Sequence, residues 1–246
     1  MSTNIVANAP ALQPLNLIVF VDYWNFQLSC NTNSKRSFQI DWTKLNAWIL
    51  QHALGALGNP ANGMNHVSTQ VYTSYNPLTP AEQKYKSWVN SFLSVQSGFN
   101  VTILERKKKG NPTCSSCKGE IGSCPHCKAS MNNTEEKGVD TRLSVQMLDL
   151  AVNNAYDVAV ILSHDADMIP AVQFVQNRGK RVIHFAFSPL GFDLRKACNH
   201  NFDMGPHIAS LERIKAPIAS AAPAAPVAPA ATSATQAVPA QHPPAV

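Results

Sequence analysis

Short apolar runs that alternate with stretches of helical spacing constrain the fold of this chain most strongly. Such runs are typical of parallel strands that are buried on both faces of a sheet. Five of them have the length of a strand, at residues 16–22, 67–72, 99–104, 157–162 and 181–187. The segments between them place apolar side chains three and four residues apart, as amphipathic helices do. The sequence therefore predicts a doubly wound α/β fold with a mainly parallel, five-stranded sheet.

The order of the strands decides which side chains meet at the edge of this sheet. Right-handed crossovers allow the order 3-2-1-4-5, which puts the first and fourth strands side by side. Asp22 ends the first strand, and Asp165 and Asp167 follow the fourth. Because open α/β sheets bind ligands beyond the carboxyl ends of their strands, we expect these three carboxylates to converge.

Further polar residues complete the predicted site. Asp140 opens a helix predicted over 139–153, Lys137 precedes it, and Asn25 lies three residues after Asp22. Gathered carboxylates repel one another unless a cation joins them, and their oxygens suit Mg²⁺ or Mn²⁺. The alternative role for Asp22, Asn25 and Asp140 is helix capping. The alternative for Lys137 is an ordinary surface position. The predicted catalytic residues are Asp22, Asn25, Asp140, Asp165, Asp167 and Lys137, with the four aspartates as metal ligands.

Four of the six cysteines fall within a segment of fourteen residues. They form two Cys-x-x-Cys pairs separated by six residues, at Cys114, Cys117, Cys124 and Cys127. This pattern predicts a structural Zn²⁺ held by four thiolates, although the spacer is shorter than in ordinary zinc ribbons. An iron–sulfur cluster or a redox switch is the alternative. We expect zinc to stabilise an insert, residues 106–136, that is too small to fold alone.

A basic run opens this insert. It comprises Arg106, Lys107, Lys108 and Lys109, in a chain whose formal net charge is +5. Runs of this kind bind the phosphates of nucleic acids or form a solvated surface. We predict nucleic-acid binding, with the zinc insert holding the run beside the acidic site.

The two ends of the chain differ in composition from the part between them. Residues 1–15 lack periodicity and are predicted to form a flexible arm, and residues 216–246 form an alanine- and proline-rich tail that we expect to be disordered. No run approaches the roughly 18 apolar residues of a membrane span, and no secretory signal opens the chain. We therefore expect a cytoplasmic protein without membrane contacts. A homo-oligomer, or a protein partner that contacts the tail, is left open.

With these residues identified, the chain resembles the NYN domain, in the LabA-like branch of the PIN-like nuclease superfamily. The stretches that carry the resemblance are FVDYWN, EEKGVDTRLSVQMLDLA and VAVILSHDADMIPAVQFVQNRGKRV, within residues 16–208. The resemblance implies a PIN-like fold and divalent-metal-dependent cleavage of RNA by Asp22, Asn25, Asp140, Asp165 and Asp167. His164 and Met168 depart from the usual form of the third stretch, and the cysteine cluster is an addition.

The function we predict is that of a metal-dependent endoribonuclease acting on single-stranded RNA. Tyr23 and Trp24 are expected either to stack on a base or to be buried at the sheet edge. The alternative is a zinc-stabilised RNA- or protein-binding module without turnover. Against it, a binder of polyanions gains nothing from concentrated negative charge. A phosphatase of small substrates is disfavoured because the chain has no glycine-rich phosphate loop.

Overall fold

The protein, seen in a computed structural model, is described over residues 13–128, 131 and 133–214. A six-stranded sheet has helices on both faces, and a two-stranded hairpin stands apart from it. Residues 1–12 of the predicted arm and the whole predicted tail at 216–246 lie outside the described residues.

The strands follow the apolar runs of the sequence, often with longer ends. In the described chain they are β1 (Leu15–Asp22), β2 (Met64–Tyr75), β3 (Phe99–Glu105), β4 (Lys107–Lys109), β5 (Asn133–Glu135), β6 (Val158–Leu162), β7 (Arg181–Ala186) and β8 (His200–Asp203). The helices are α1 (Tyr23–Ser34), α2 (Trp42–Ala56), α3 (Pro80–Ser91), α4 (Val139–Val152), α5 (Ile169–Asn177) and α6 (Phe192–Ala197).

Capping residues fix where two of these helices begin. The side chain of Asp22 accepts the N–H of Asn25 at the start of α1. At the start of α3, the hydroxyl of Thr79 accepts the N–H of Glu82, and Pro80 occupies the first helical position. Both arrangements satisfy N–H groups that have no partner inside the helix. Asp22 therefore has a capping role as well as the metal-binding role predicted for it.

The six strands of the main sheet are all parallel, in the order β3-β2-β1-β6-β7-β8. The predicted order of the first five is confirmed, but the predicted number of five strands is wrong by one. The missed strand is β8, which extends the sheet beyond β7. Its sequence, HNFD, has a single apolar residue because it lies at an edge, so no apolar run marks it.

The core lies on both faces of the sheet. Leu17, Val19 and Val21 of β1 belong to an apolar cluster with α1 and α2, whereas Ile18 and Phe20 belong to another with α4 and α5. Every one of these five side chains is at most 1% exposed. Burial of each is worth about 1.5–3 kcal/mol, which explains why β1 is apolar at consecutive positions.

The hairpin of β4 and β5 carries the cysteine segment. Lys107 to Lys109 pair antiparallel with Asn133 to Glu135. Of the described residues between 107 and 138, none belongs to either buried cluster, so the insert is built outside the core. Nowhere in the described chain does a helix combine the length and apolarity that crossing a membrane requires.

Candidate metal and nucleic-acid site

Asp22 is the buried carboxylate at the carboxyl end of β1. Its side chain is bonded to the N–H of Asn25 at 3.3 Å and to the hydroxyl of Ser163 at 3.5 Å. Burial, together with the charges of Asp140, Glu136 and Asp165, raises the pKa of Asp22 to about 7, against the lowering effect of the Asn25 N–H. A charged carboxylate in this position is stabilised by a bound cation, because the cation offsets the hydration that is lost on burial.

Asp140 lies opposite, in the first turn of α4. Burial raises its pKa, as do the charges of Asp165, Glu136 and Asp167. The residue before the helix is Gly138, in the left-handed conformation with φ 81°, and it has no side chain that could cap α4. Asp140 also lies near the positive N-terminal end of the helix, where a carboxylate is favoured. The structure thus brings the predicted Asp140 to the same place as Asp22.

Asp165 and Asp167 follow β6, the neighbour of β1. Asp165 accepts the N–H of Asp167 at 2.9 Å, which caps a single 3₁₀ turn over Ala166–Met168. The N–H of Asp165 donates to the hydroxyl of Ser163 at 3.2 Å. These bonds fix the turn. The charge of Asp165 raises the pKa of both Asp22 and Asp140, and the charge of Asp167 raises the pKa of Asp140, so the two carboxylates lie within electrostatic reach of the site.

Glu136 is a fifth carboxylate of the site, and sequence reasoning missed it. It accepts the hydroxyl of Ser74 at the end of β2 and lies 3.6 Å from the guanidinium of Arg106. Its charge raises the pKa of both Asp22 and Asp140. The only signal in the sequence was its position in the loop before Asp140, beside a second glutamate that pairs elsewhere.

Asn25 ties α1 to the end of β6. Its side-chain oxygen accepts the backbone N–H of His164 at 2.9 Å. The His164 ring lies between Asn25 and Ser29 on one side and the N–H of Phe187 on the other. Asn25 therefore lies close to the acids, and its oxygen positions the turn that carries Asp165.

The basic residues divide into two groups. Arg106 points back into the domain: its Nε donates to Ser74 at 2.9 Å, and its guanidinium carbon lies 5.7 Å from the Trp24 ring centre. Lys107, Lys108 and Lys109 are exposed along β4. Lys137 is also exposed and lies 3.2 Å from Glu135, so it stands at the rim of the acidic site in an ion pair.

Of the two aromatic residues after Asp22, one is buried and one is partly exposed. Tyr23 stacks on Trp42 with ring centres 5.5 Å apart and is 7% exposed. Trp24 is half-buried, and its indole N–H donates to the backbone oxygen of Ser74 at 2.7 Å. Burial is thus the outcome for Tyr23, whereas Trp24 keeps an accessible surface.

The donor set suits a hard divalent cation. All five groups are carboxylates, and their charges oppose one another. In the part of the chain that the structure describes, no group of three or more His, Cys, Asp or Glu side chains is arranged to hold a metal ion. Mg²⁺ keeps several of its waters and takes one or two protein carboxylates directly, so an open cluster of this kind fits it.

A comparison with models of known families matches residues 16–205 to the NYN domain. The chain belongs to the NYN domain family. This confirms the resemblance to the NYN domain and the α/β fold of the PIN-like nuclease superfamily, whereas the LabA-like branch stays a prediction. NYN domains are generally nucleases, and PIN-like nucleases typically use divalent metals.

Other comparisons add little to the NYN assignment. No curated protein matched the chain. A solved structure of Arabidopsis thaliana UGT89C1 complexed with UDP is 14% identical, over 72% of this chain and 36% of that protein, with a TM-score of 0.25. The chain thus spans about a third of that protein, and so low a TM-score carries no argument.

The cysteines of this NYN domain form two similar turns. The N–H of Lys118 donates to the oxygen of Cys114 at 2.9 Å, and that of Lys128 to Cys124 at 3.0 Å. Both lysines are left-handed, with φ 57° and 60°. Backbone N–H groups and the partner cysteine lower the pKa of Cys114 and of Cys124, as a metal-binding turn requires. All four cysteines are free, and the two turns are not joined into a single metal-binding group.

Proposed function

We propose that this NYN domain is a divalent-metal-dependent endoribonuclease that hydrolyses phosphodiester bonds of single-stranded RNA. The observation that carries the proposal is the buried Asp22, whose pKa is about 7 and which faces other carboxylates at the carboxyl ends of β1 and β6. Burying a carboxylate among others is costly, and a fold gains nothing from it unless a cation binds there.

Each residue of the site has a proposed part. Asp22, Asp140, Asp165 and Asp167 would hold Mg²⁺ or Mn²⁺, some of them through water. A cation held there would polarise the phosphate and lower the pKa of a water molecule. Asn25 keeps the turn after β6 in place by accepting the His164 N–H. Lys137, at the rim, offsets charge on the phosphate oxygens.

The insert is proposed to hold the RNA strand. Lys107, Lys108 and Lys109 are exposed on β4, next to Arg106 at the acidic site, and would contact phosphates beyond the cleaved bond. One Zn²⁺ held by Cys114, Cys117, Cys124 and Cys127 would join the two cysteine turns. We further propose that the protein works in the cytoplasm, with the tail as the contact for a protein partner or a second copy.

Cleavage of labelled single-stranded RNA tests the proposal. The purified chain is incubated with Mn²⁺, Mg²⁺ or EDTA, beside the double variant Asp165→Asn/Asp167→Asn. The matched control is Asp149→Asn, on the exposed far end of α4. We expect cutting with either cation, none in EDTA, and a loss of about 100-fold or more in the double variant only.

Two outcomes contradict the nuclease. Cutting that survives EDTA or the double substitution would move the activity away from the acidic site. If the wild-type chain binds RNA and leaves it intact under every condition, the protein is the RNA-binding module that was considered as the alternative.

A further inference from the structure

A cavity lined by aromatic side chains opens beside the acidic site. It has a volume of about 580 Å³ and lies among α1, the start of α2 and α3. Its aromatic lining includes Tyr23, Trp24, Trp42, Tyr85 and Trp88. A cavity of this size is ordinary for a small-molecule site. The roles proposed above for the acidic site and for the insert do not use it.

The aromatic rings form a layered wall. Tyr23 and Trp42 stack beneath with an interplanar angle of 11°, and both are buried. Tyr85 and Trp88 stack beside them at 30°, and both are half-buried. The Tyr85 hydroxyl bonds to Thr73 at 2.6 Å, which holds its ring in place. The half-buried rings thus offer fixed π surfaces to a flat ligand.

The rim of the cavity is polar and basic. Gln27, Asn31 and Gln39 supply amide groups, and Lys84 and Arg213 supply positive charge. Among the described residues that line the cavity, none is an aspartate or a glutamate. Lys84 and Arg213 are both exposed, so an anion can approach them. Aromatic walls with amides and cations at the mouth fit a nucleotide: a base stacks, and its phosphate meets the cations.

A short chain of contacts joins the cavity to the acidic site. Trp24 follows Asp22 by two residues, which places their Cα atoms within about 7 Å. The Trp24 indole N–H donates to Ser74, and the Ser74 hydroxyl in turn donates to Glu136. Arg106 lies against the Trp24 ring and 3.6 Å from Glu136. An RNA strand with one base in the cavity would therefore have a neighbouring phosphate close to the carboxylates.

We infer that this cavity is a base-binding subsite, which holds one unpaired nucleobase of the RNA strand by stacking on Tyr85 and Trp88. The inference rests on the proposed function for the identity of its ligand. It makes the enzyme selective for single-stranded RNA, because a paired base in a helix cannot enter an aromatic cavity. The cations at the rim hold the strand, while the stacking wall fixes where it is cut.

Binding measured in EDTA separates this inference from the nuclease itself. The probe is an end-labelled RNA octamer, with affinity read by fluorescence anisotropy on the full chain. Trp88→Ala removes a stacking ring, and Lys84→Glu reverses a charge at the rim without touching the core. Lys196→Glu, an exposed lysine on α6, is the control for net charge. Circular dichroism confirms that each variant is folded.

We expect Trp88→Ala to weaken octamer binding about 5- to 100-fold, the range found when one stacking ring is removed. Lys84→Glu weakens binding more than Lys196→Glu does. In the cleavage assay, both cavity variants raise KM and leave kcat near the wild-type value. The Asp165→Asn/Asp167→Asn variant, by contrast, binds the octamer in EDTA and does not cut it.

The two ideas fail in different ways. If folded Trp88→Ala and Lys84→Glu bind the octamer as the wild type does, the base-binding subsite is wrong even where RNA is cut. The cavity would then receive another partner, such as an aromatic side chain of a protein. If neither the wild type nor the cavity variants cut RNA, but the cavity variants bind the octamer more weakly than the wild type does, the base-binding subsite is supported and the nuclease proposal is wrong.

Discussion

At the scale of single residues, Asp22 has the most to gain from a cation. Its carboxylate is 7% exposed and has other acids around it, and its pKa rises to about 7. The pKa of the same group in an unfolded chain is near 3.8. The folded, metal-free protein therefore keeps a proton on Asp22 over a range of pH in which the unfolded chain has lost it.

This difference predicts how stability depends on pH. Because the folded-state pKa is raised, the contribution of Asp22 to the stability of the metal-free protein falls as the pH rises from about 4 to about 7, and it levels off above that. Asp22→Asn removes the titration. We expect the free energy of unfolding of the variant, relative to the wild type, to rise over this range by up to about 4 kcal/mol.

Urea unfolding in EDTA at several pH values measures the effect. Asp149→Asn, an exposed carboxylate on α4, serves as the control and should follow the wild type. A difference between Asp22→Asn and the wild type that stays constant from pH 4 to pH 7 would mean that Asp22 titrates normally.

At the scale of elements, the sequence predicts the features that recur along the chain, which are the apolar runs and the helical spacing. It does not predict features that depend on which elements pack together in space. The order of the first five strands follows from apolar runs and right-handed crossovers. β8 escapes because an edge strand needs apolar residues at only some positions. The acidic residues at the strand ends could be predicted because the end of an apolar run can be read directly from the sequence.

Two features that depend on contacts between distant elements were beyond sequence reasoning. Glu136 belongs to the site because β2 brings Ser74 to it, and nothing near Glu136 in the sequence shows this. The same is true of the aromatic cavity. Tyr85 and Trp88 have the helical spacing of ordinary core residues, and only the packing of α3 against α1 and α2 leaves their rings half-buried around a cavity.

The cysteine insert is an element whose stability we expect to be local. If zinc joins the two turns, as proposed, Cys117→Ser should lower the zinc content of the purified protein from about one ion per chain to near zero. Since the described insert residues belong to neither buried cluster, the main sheet should stay folded. Elemental analysis and circular dichroism measure the two effects. Ser116→Ala, in the same turn, is the control and should keep its zinc.

Zinc retained in Cys117→Ser would show that the four thiolates do not act together. Iron instead of zinc in the wild-type protein would support the alternative of a cluster. A collapse of the whole domain on losing the metal would mean that the insert supports the sheet, contrary to its position outside the core.

At the scale of the whole molecule, parallel strands that end together bring negative charge to one edge of an otherwise basic chain. Five carboxylates lie near this edge and are coupled through the pKa of Asp22 and of Asp140, in a protein whose formal net charge is +5. Their repulsion is a cost that the fold carries when no cation is bound. We therefore expect stability and function to oppose each other at this edge, as they commonly do at active sites.

The opposition predicts that the order of stability reverses when metal is added. In EDTA, Asp165→Asn/Asp167→Asn should be at least as stable as the wild type, because two repelling charges are gone. With Mn²⁺ at about 100 times its dissociation constant, the wild type gains about 2.7 kcal/mol and the variant little. For a folded part of about 200 residues this is a rise in Tm of about 5–10 °C. Thermal unfolding with Mn²⁺, beside NaCl at equal ionic strength, measures it. An equal rise in both proteins would place the bound cation elsewhere, because only a cation held by these two carboxylates distinguishes the wild type from the variant.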